Sequence, residues 1–216
     1  MNIIDRLDFA RSISQGMKVL DIGGALMPGT NMNHPFAKKY KEIEKAAKEY
    51  RIIDCQERPN IVHYFIDFNE KESVKKLKQI IDEYKPDIIL CMEFLEHVNY
   101  HTEVMDELAY AIETYGTAVF ISLPNNGNWI SNVINWQKYH IMAFFKDIAK
   151  RFICQSSLGK FEVRQIPCIG NYYWWWKIFY FCALCQPMSW GFLIQKKGIR
   201  VLNTVWPVVN KNNEIC

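Results

Sequence analysis

The 216-residue chain has no apolar stretch long enough to cross a bilayer. Its most apolar run, Tyr172 to Cys185 (YYWWWKIFYFCALC), has 14 residues and contains Lys177, whereas a spanning helix needs roughly 18 or more. It also lacks charge of one sign: the net charge is only +3. Its lysines cluster at positions 38, 39, 41, 45, 48, 75, 76 and 78, on segments expected to be helical, where a solvated face accounts for them. No nucleic-acid partner is expected. The opening MNIIDRLDFARSIS mixes acids into its apolar residues and has no signal-peptide core, so a cytoplasmic location is expected. The seven cysteines are odd in number and widely spaced, which excludes a disulfide framework and reads as reduced thiols. Cys182 and Cys185 form one CxxC, but no second pair answers it at ligand spacing. No metal is expected.

Half the residues are hydrophobic and 23% are charged, which is ordinary globular composition. No linker or repeat divides the chain, so one domain over residues 1–216 is expected. A helical spacing of Ile3, Ile4, Leu7, Ala10, Arg11 and Ile13 predicts a leading helix over 2–14, stopped near Gly16. Met17 to Ile22 is a buried strand entering a glycine turn. A charged helix over 35–49 follows, then a strand at Arg51 to Cys55 and a third at Ile61 to Phe68.

Val74, Leu77, Ile80, Ile81 and Tyr84 mark the stripe of the next helix. Strands at Asp87 to Met92 and Thr117 to Leu123 flank a helix over 102–114. After Pro124 come a helical region through Trp136 to Phe152 and strands at Lys160 to Ile166 and Gly191 to Lys196. Strands alternating with helices predict an α/β fold: a Rossmann-like, doubly wound, seven-stranded sheet. It should be mostly parallel with an antiparallel last strand, and have helices on both faces.

Ligands in such sheets sit at the carboxyl ends of the strands where strand order reverses. The informative residues are therefore Asp21, Gly23 and Gly24 after the first strand, Asp54 after the second, Asp67 and Phe68 after the third, and Met92 and Glu93 after the fourth. A carboxylate at the second strand end suits a ribose diol, and one at the third suits an adenine amino group. Gly23 and Gly24 let the backbone approach a ligand closely. A single strand-end Asp is ordinarily a turn former; three in succession favour a ligand site.

VLDIGG (Val19 to Gly24), IIDC ending near Asp54, YFIDF with Asp67, PDIILCMEFLEHV (Pro86 to Val98) and SLPNNG (Ser122 to Gly127) occur in that order. Together they resemble the class I S-adenosylmethionine-dependent methyltransferases, in particular a branch with an LEHV turn after the fourth strand. The resemblance covers residues 17–125 as a cofactor-binding core and leaves 126–216 as a substrate-shaping part.

It implies S-adenosyl-L-methionine as cofactor, with Gly23 and Gly24 beside its amino-acid moiety and Asp54 on the ribose hydroxyls. Asp67 and the backbone of Phe68 would take the adenine. Met92 would line the methionine side, Glu93 after it counts among the cofactor-binding residues, and Asp21 would fix the glycine turn. The family's acid-x-Gly-x-Gly-x-Gly becomes Asp21, Gly23, Ala25 and Met27 here. A nicotinamide-binding domain shares the geometry, but its Gly-x-Gly-x-x-Gly would need glycine at Ala25 and Pro28.

Methyl transfer to a hydroxyl needs a base, and histidine is the first candidate. His97, past the fourth strand, and His140, before a helix in the substrate-shaping part, are the candidate catalytic residues; His97 also reads as a structural turn residue. Glu93, His97 and His101 recur at fours, a metal-ligand spacing on one helix, but Asn99 and Tyr100 break that helix. The expected activity is methyl transfer to oxygen or nitrogen of a small-molecule or glycan acceptor. The alternatives are a non-catalytic cofactor-binding partner protein and a NAD-dependent oxidoreductase. The apolar run at Tyr172 to Cys185 must be covered by the core and substrate pocket, by a second copy in a homodimer, or by a membrane surface.

Overall fold

A computed structural model describes residues 4–25, 35–56, 62–125, 142, 144–169, 189–198 and 215–216. The elements are β1 (Ile4–Asp5), α1 (Arg6–Ser14), β2 (Lys18–Ile22), α2 (Pro35–Ala46), β3 (Glu49–Asp54), β4 (Tyr64–Phe65), α3 (Lys71–Tyr84), β5 (Ile88–Met92), a short helical turn (Leu95–His97), α4 (His101–Tyr115) and β6 (Ala118–Pro124). They continue with α5 (Lys146–Gln155), a second short turn (Ser157–Lys160), β7 (Glu162–Ile169) and β8 (Ser189–Gln195).

The strands form one sheet in the order β1-β7-β8-β6-β5-β2-β3-β4. It is parallel except at β8, which runs antiparallel to both of its neighbours, β6 and β7, and lies between them. The sheet has eight strands among the described residues, not the expected seven, because the leading segment is not helical throughout. The Asp5 carboxylate caps α1 by accepting the N–H groups of Leu7 and Asp8 at 2.9 and 3.2 Å. Ile4 and Asp5 therefore stay extended and pair with Cys168 and Ile169.

The expected third strand shortens to Tyr64–Phe65. Beyond it the Asp67 carboxylate takes the Asn69 N–H at 2.9 Å, and an aspartate folded onto its own backbone in this way makes a turn.

Period-two alternation along the central strands builds two cores. On one face, Leu7, Phe9 and Ile13 of α1 and Ile43 of α2 pack on Val19, Ile88, Leu90, Met92 and Phe120. On the other, Val74, Leu77 and Ile81 of α3 and Val104, Leu108 and Ile112 of α4 pack on Leu20, Ile22, Ile53, Ile89, Val119 and Ile121. Each such side chain contributes about 1.5–3 kcal/mol when fully buried, so the strand tips rest on a rigid slab. The chain runs outward from β2 through β3 and β4, then returns to β5 on the other side of β2. That reversal opens a crevice at the β2 and β5 tips.

The reduced-thiol expectation is corrected in one place: Cys154 of α5 is disulfide-bonded to Cys216, 62 positions away. The Ile215 N–H donates to the Val163 carbonyl at 3.1 Å, which lays Ile215 against β7, and the disulfide ties the neighbouring Cys216 to α5. Cys55, Cys91 and Cys168 are free thiols; Cys182 and Cys185 lie outside the described residues. Closing a loop of this length is expected to stabilise the fold by about 4 kcal/mol. Thermal melts with and without a dithiol reductant check this. The reduced protein should melt several degrees lower, and Cys216→Ser should match it without reductant; coincident melts would contradict the bond's contribution.

No helix among the described residues is long and apolar enough to cross a membrane. The aromatic run Tyr172 to Cys185 lies outside the described residues.

Candidate functional site

The tips of β4, β3, β2 and β5 lie side by side in that order, and they bring Asp67, Asp54, the Gly23-Gly24 turn and Glu93 to one end of the sheet. Asp21, two residues before Gly23, is buried. The Tyr50 hydroxyl donates to its Oδ2. Its carboxyl is pushed up to about 7, chiefly by burial; the Tyr50 hydrogen bond opposes the rise and the nearby Asp54 charge adds to it.

The turn is tied down from the β3 side. The Gly23 N–H donates to the Ile53 carbonyl at 2.8 Å, and the Ala25 N–H donates to Asp54 Oδ2 at 3.2 Å. Gly23 takes φ +76, a left-handed conformation in which other residues are strained.

The glycines were expected to give a ligand close access to the backbone. Among the described residues they make room for the protein's own side chains. A Cβ at Gly23 would stand 2.4 Å from the Phe94 ring, and one at Gly24 would stand 2.4 Å from the Asp21 carboxylate. Gly24→Ala should therefore cost about 1–3 kcal/mol, the range for overpacking a buried site. Urea unfolding measures it, and an unchanged midpoint would show that the turn relaxes freely.

Asp54 is 6% exposed, and its Oδ1 accepts the Gln56 N–H at 3.1 Å. With one N–H on each oxygen, lone pairs remain for a further donor. Asp67 is half-buried. The Phe68 ring is buried and meets the Phe94 ring edge-on at 4.9 Å, so Phe68 offers its backbone rather than its ring. Met92 is buried in the core shared with α1.

Glu93 is the most constrained residue of the set. It has φ +50, unusual for a non-glycine residue. Its N–H reaches Ser122 O at 3.0 Å and Ser122 Oγ at 3.1 Å, and the Ser122 hydroxyl donates back to Oε1 at 3.1 Å. The same Oε1 lies 2.6 Å from an Arg6 guanidinium nitrogen.

His97 closes the turn after Glu93 and is exposed, with Nε2 3.8 Å from Glu96 Oε1. His101 opens α4, its ring 5.3 Å from that of Phe152. No cluster of three metal-binding side chains forms among the described residues. His140 lies outside them.

Sequence reasoning passed over Tyr50, Phe94, Arg6 and Ser122. Tyr50 stands four residues before the strand-end acid Asp54, on the same face of the strand, and that spacing was the available signal for the first. None existed for Arg6, whose partner is far along the chain.

No family model matches the chain, and no curated protein sequence does. Solved structures do match. A methyltransferase dependent on S-adenosylmethionine from Archaeoglobus fulgidus is similar at 16% identity and TM-score 0.56, over 88% of this chain and 90% of that one. The fold is that of the S-adenosylmethionine-dependent methyltransferases.

The N-methyltransferase NodS of Bradyrhizobium japonicum, solved with S-adenosyl-L-homocysteine, is similar at 13% identity and TM-score 0.51, over 89% and 86% of the two chains. A Haloferax volcanii methyltransferase complexed with the activator Trm112 is similar at 9% identity and TM-score 0.54, over 87% of each chain. In this methyltransferase fold the strand tips described above form the end of the sheet at which the order reverses.

Proposed function

We propose that the chain binds S-adenosyl-L-methionine across the tips of β4, β3, β2 and β5 and transfers its methyl group to oxygen or nitrogen of a small-molecule or glycan-type acceptor. The observation that carries this reading is the row of carboxylates Asp67, Asp54 and Glu93 across the switch point. Apart from its carboxylate and the adenine ring nitrogens, which accept, that cofactor presents donors or cations: the adenine amine, the ribose diol, the ammonium and the sulfonium. A row of acids suits those groups and repels a pyrophosphate, which counts against a dinucleotide.

On this reading Asp54 accepts from the ribose hydroxyls and Asp67 from the adenine amine, while the Phe68 N–H faces the adenine ring. Asp21 and Tyr50 hold the Gly23-Gly24 turn in shape. The bound cofactor supplies an electrophilic methyl group. The protein's part is to hold an acceptor in line with it, since alignment accounts for most of the rate gain in such displacements. Residues 126–216 would shape the acceptor site and cover its apolar parts.

For a hydroxyl acceptor, His97 is the proposed base. Its exposed place in the turn after Glu93 supports that role, and an imidazole is the side chain most often used for such a proton transfer. The test is transfer of a labelled methyl group from S-adenosylmethionine to fractionated small-molecule and glycan extracts. A labelled product whose formation falls about 100-fold in His97→Ala is expected. A labelled product formed at the wild-type rate by that variant would remove His97, and the absence of any product would count against an enzyme.

A further inference from the structure

We infer that Glu93 is the residue by which this protein distinguishes the positively charged S-adenosylmethionine from its uncharged product, S-adenosylhomocysteine. The inference rests on the proposed cofactor reading and adds a role to one residue of it.

The strand order supplies the first part of the argument. Asp67 and Asp54 stand on the β4 and β3 side of the glycine turn, and Glu93 stands on the β5 side. Neighbouring parallel strands lie about 4.8 Å apart. A cofactor whose adenosine end takes the two aspartates therefore carries its amino-acid end over β2 toward β5, where Glu93 is the strand-tip acid.

The second part is how Glu93 is held. Its backbone is in the left-handed region, which strains a non-glycine residue. Two bonds to Ser122 and the Arg6 pair offset that strain. Arg6 is 4% exposed in its side chain and Glu93 27%, so the guanidinium lies behind and the carboxylate partly faces solvent. The pair is thus a dipole with its negative end outward. Arg6 pairs with the carboxylate, so no bare anion is left in a half-buried place.

Glu96, nearby, does not compete. It is fully buried, neither of its oxygens has a hydrogen-bond partner among the described residues, and burial first, then the Glu93 charge, push its carboxyl well above the usual range. Glu93 is therefore the acid that partly faces solvent at this tip.

The two ligands share adenine, ribose, ammonium and carboxylate and differ only in the sulfonium methyl. Calorimetric titration of wild type, Glu93→Gln and Asp54→Ala with each ligand separates the contributions. Glu93→Gln should weaken S-adenosylmethionine binding about fivefold more than S-adenosylhomocysteine binding, and the S-adenosylhomocysteine binding that remains shows that the variant is folded. Asp54→Ala should weaken both alike.

Should Glu93→Gln fail to fold, salt titration of the wild type replaces it: S-adenosylmethionine affinity should fall more steeply with ionic strength than S-adenosylhomocysteine affinity, and parallel slopes would overturn the inference. Equal weakening of both ligands by Glu93→Gln, or of neither, would also overturn it while leaving the cofactor reading intact. A wild type that binds neither ligand would overturn the cofactor reading and this inference with it.

Discussion

Asp54→Ala is expected to weaken S-adenosylhomocysteine binding by about 100-fold, the loss that goes with two hydrogen bonds to a charged acceptor. The carboxylate is 6% exposed, so its interaction with a bound diol is poorly screened by solvent. The same carboxylate also anchors the turn through the Ala25 and Gln56 N–H groups, so alanine removes both the ligand contact and the support behind it.

Asp54→Asn separates these effects. An amide oxygen still accepts from the backbone, but the charge and the second acceptor are gone. Binding should fall about tenfold, and the melting temperature should drop less than in Asp54→Ala, because one of the two backbone N–H groups keeps its acceptor. Calorimetry on the two variants checks both figures, and full affinity in Asp54→Ala would remove Asp54 from the site.

The second large effect is on stability and comes from Asp21. Its carboxyl titrates near the ordinary 3.8 when exposed and at about 7 in the folded protein, because burial disfavours the charge. Between those values the folded chain keeps a proton that the unfolded chain has lost. The raised value therefore adds stability that is fully present below about pH 4 and is lost as the pH climbs toward 7. Three units correspond to about 4 kcal/mol.

Asp21→Asn keeps the size and an acceptor for the Tyr50 hydroxyl but cannot ionise. Urea unfolding of wild type and variant at pH 4 and pH 8 should show the variant gaining on the wild type by a few kcal/mol over that range. A gap that does not change with pH would mean that Asp21 titrates normally.

Much of the fold was legible because its signals are local. Buried parallel strands such as Ile88–Met92 read as apolar runs, the helix stripes repeat at the right period, and strand ends follow from both. The acids at those ends were found for the same reason. What stayed hidden depends on distant partners. Ile4 and Asp5 are extended because Asp5 caps α1 and β7 lies alongside, and the β7 partners are more than 160 residues away in the chain.

Cys154 and Cys216 are likewise brought together only by the way the chain end lies on α5 and β7. Arg6 is one arginine on a short helix until the sheet places it against Glu93. Gly23 and Gly24 were recognised as necessary, but the side chains that need the space, Phe94 and Asp21, belong to packing rather than to the motif.

The central claim is that the carboxylate row at the strand tips receives S-adenosylmethionine rather than a dinucleotide. Calorimetric titration of the wild-type protein with S-adenosylhomocysteine, and separately with NAD, tests it most directly. One-to-one binding of S-adenosylhomocysteine with no heat from NAD is the expected result. Saturable binding of NAD with none of S-adenosylhomocysteine would contradict it.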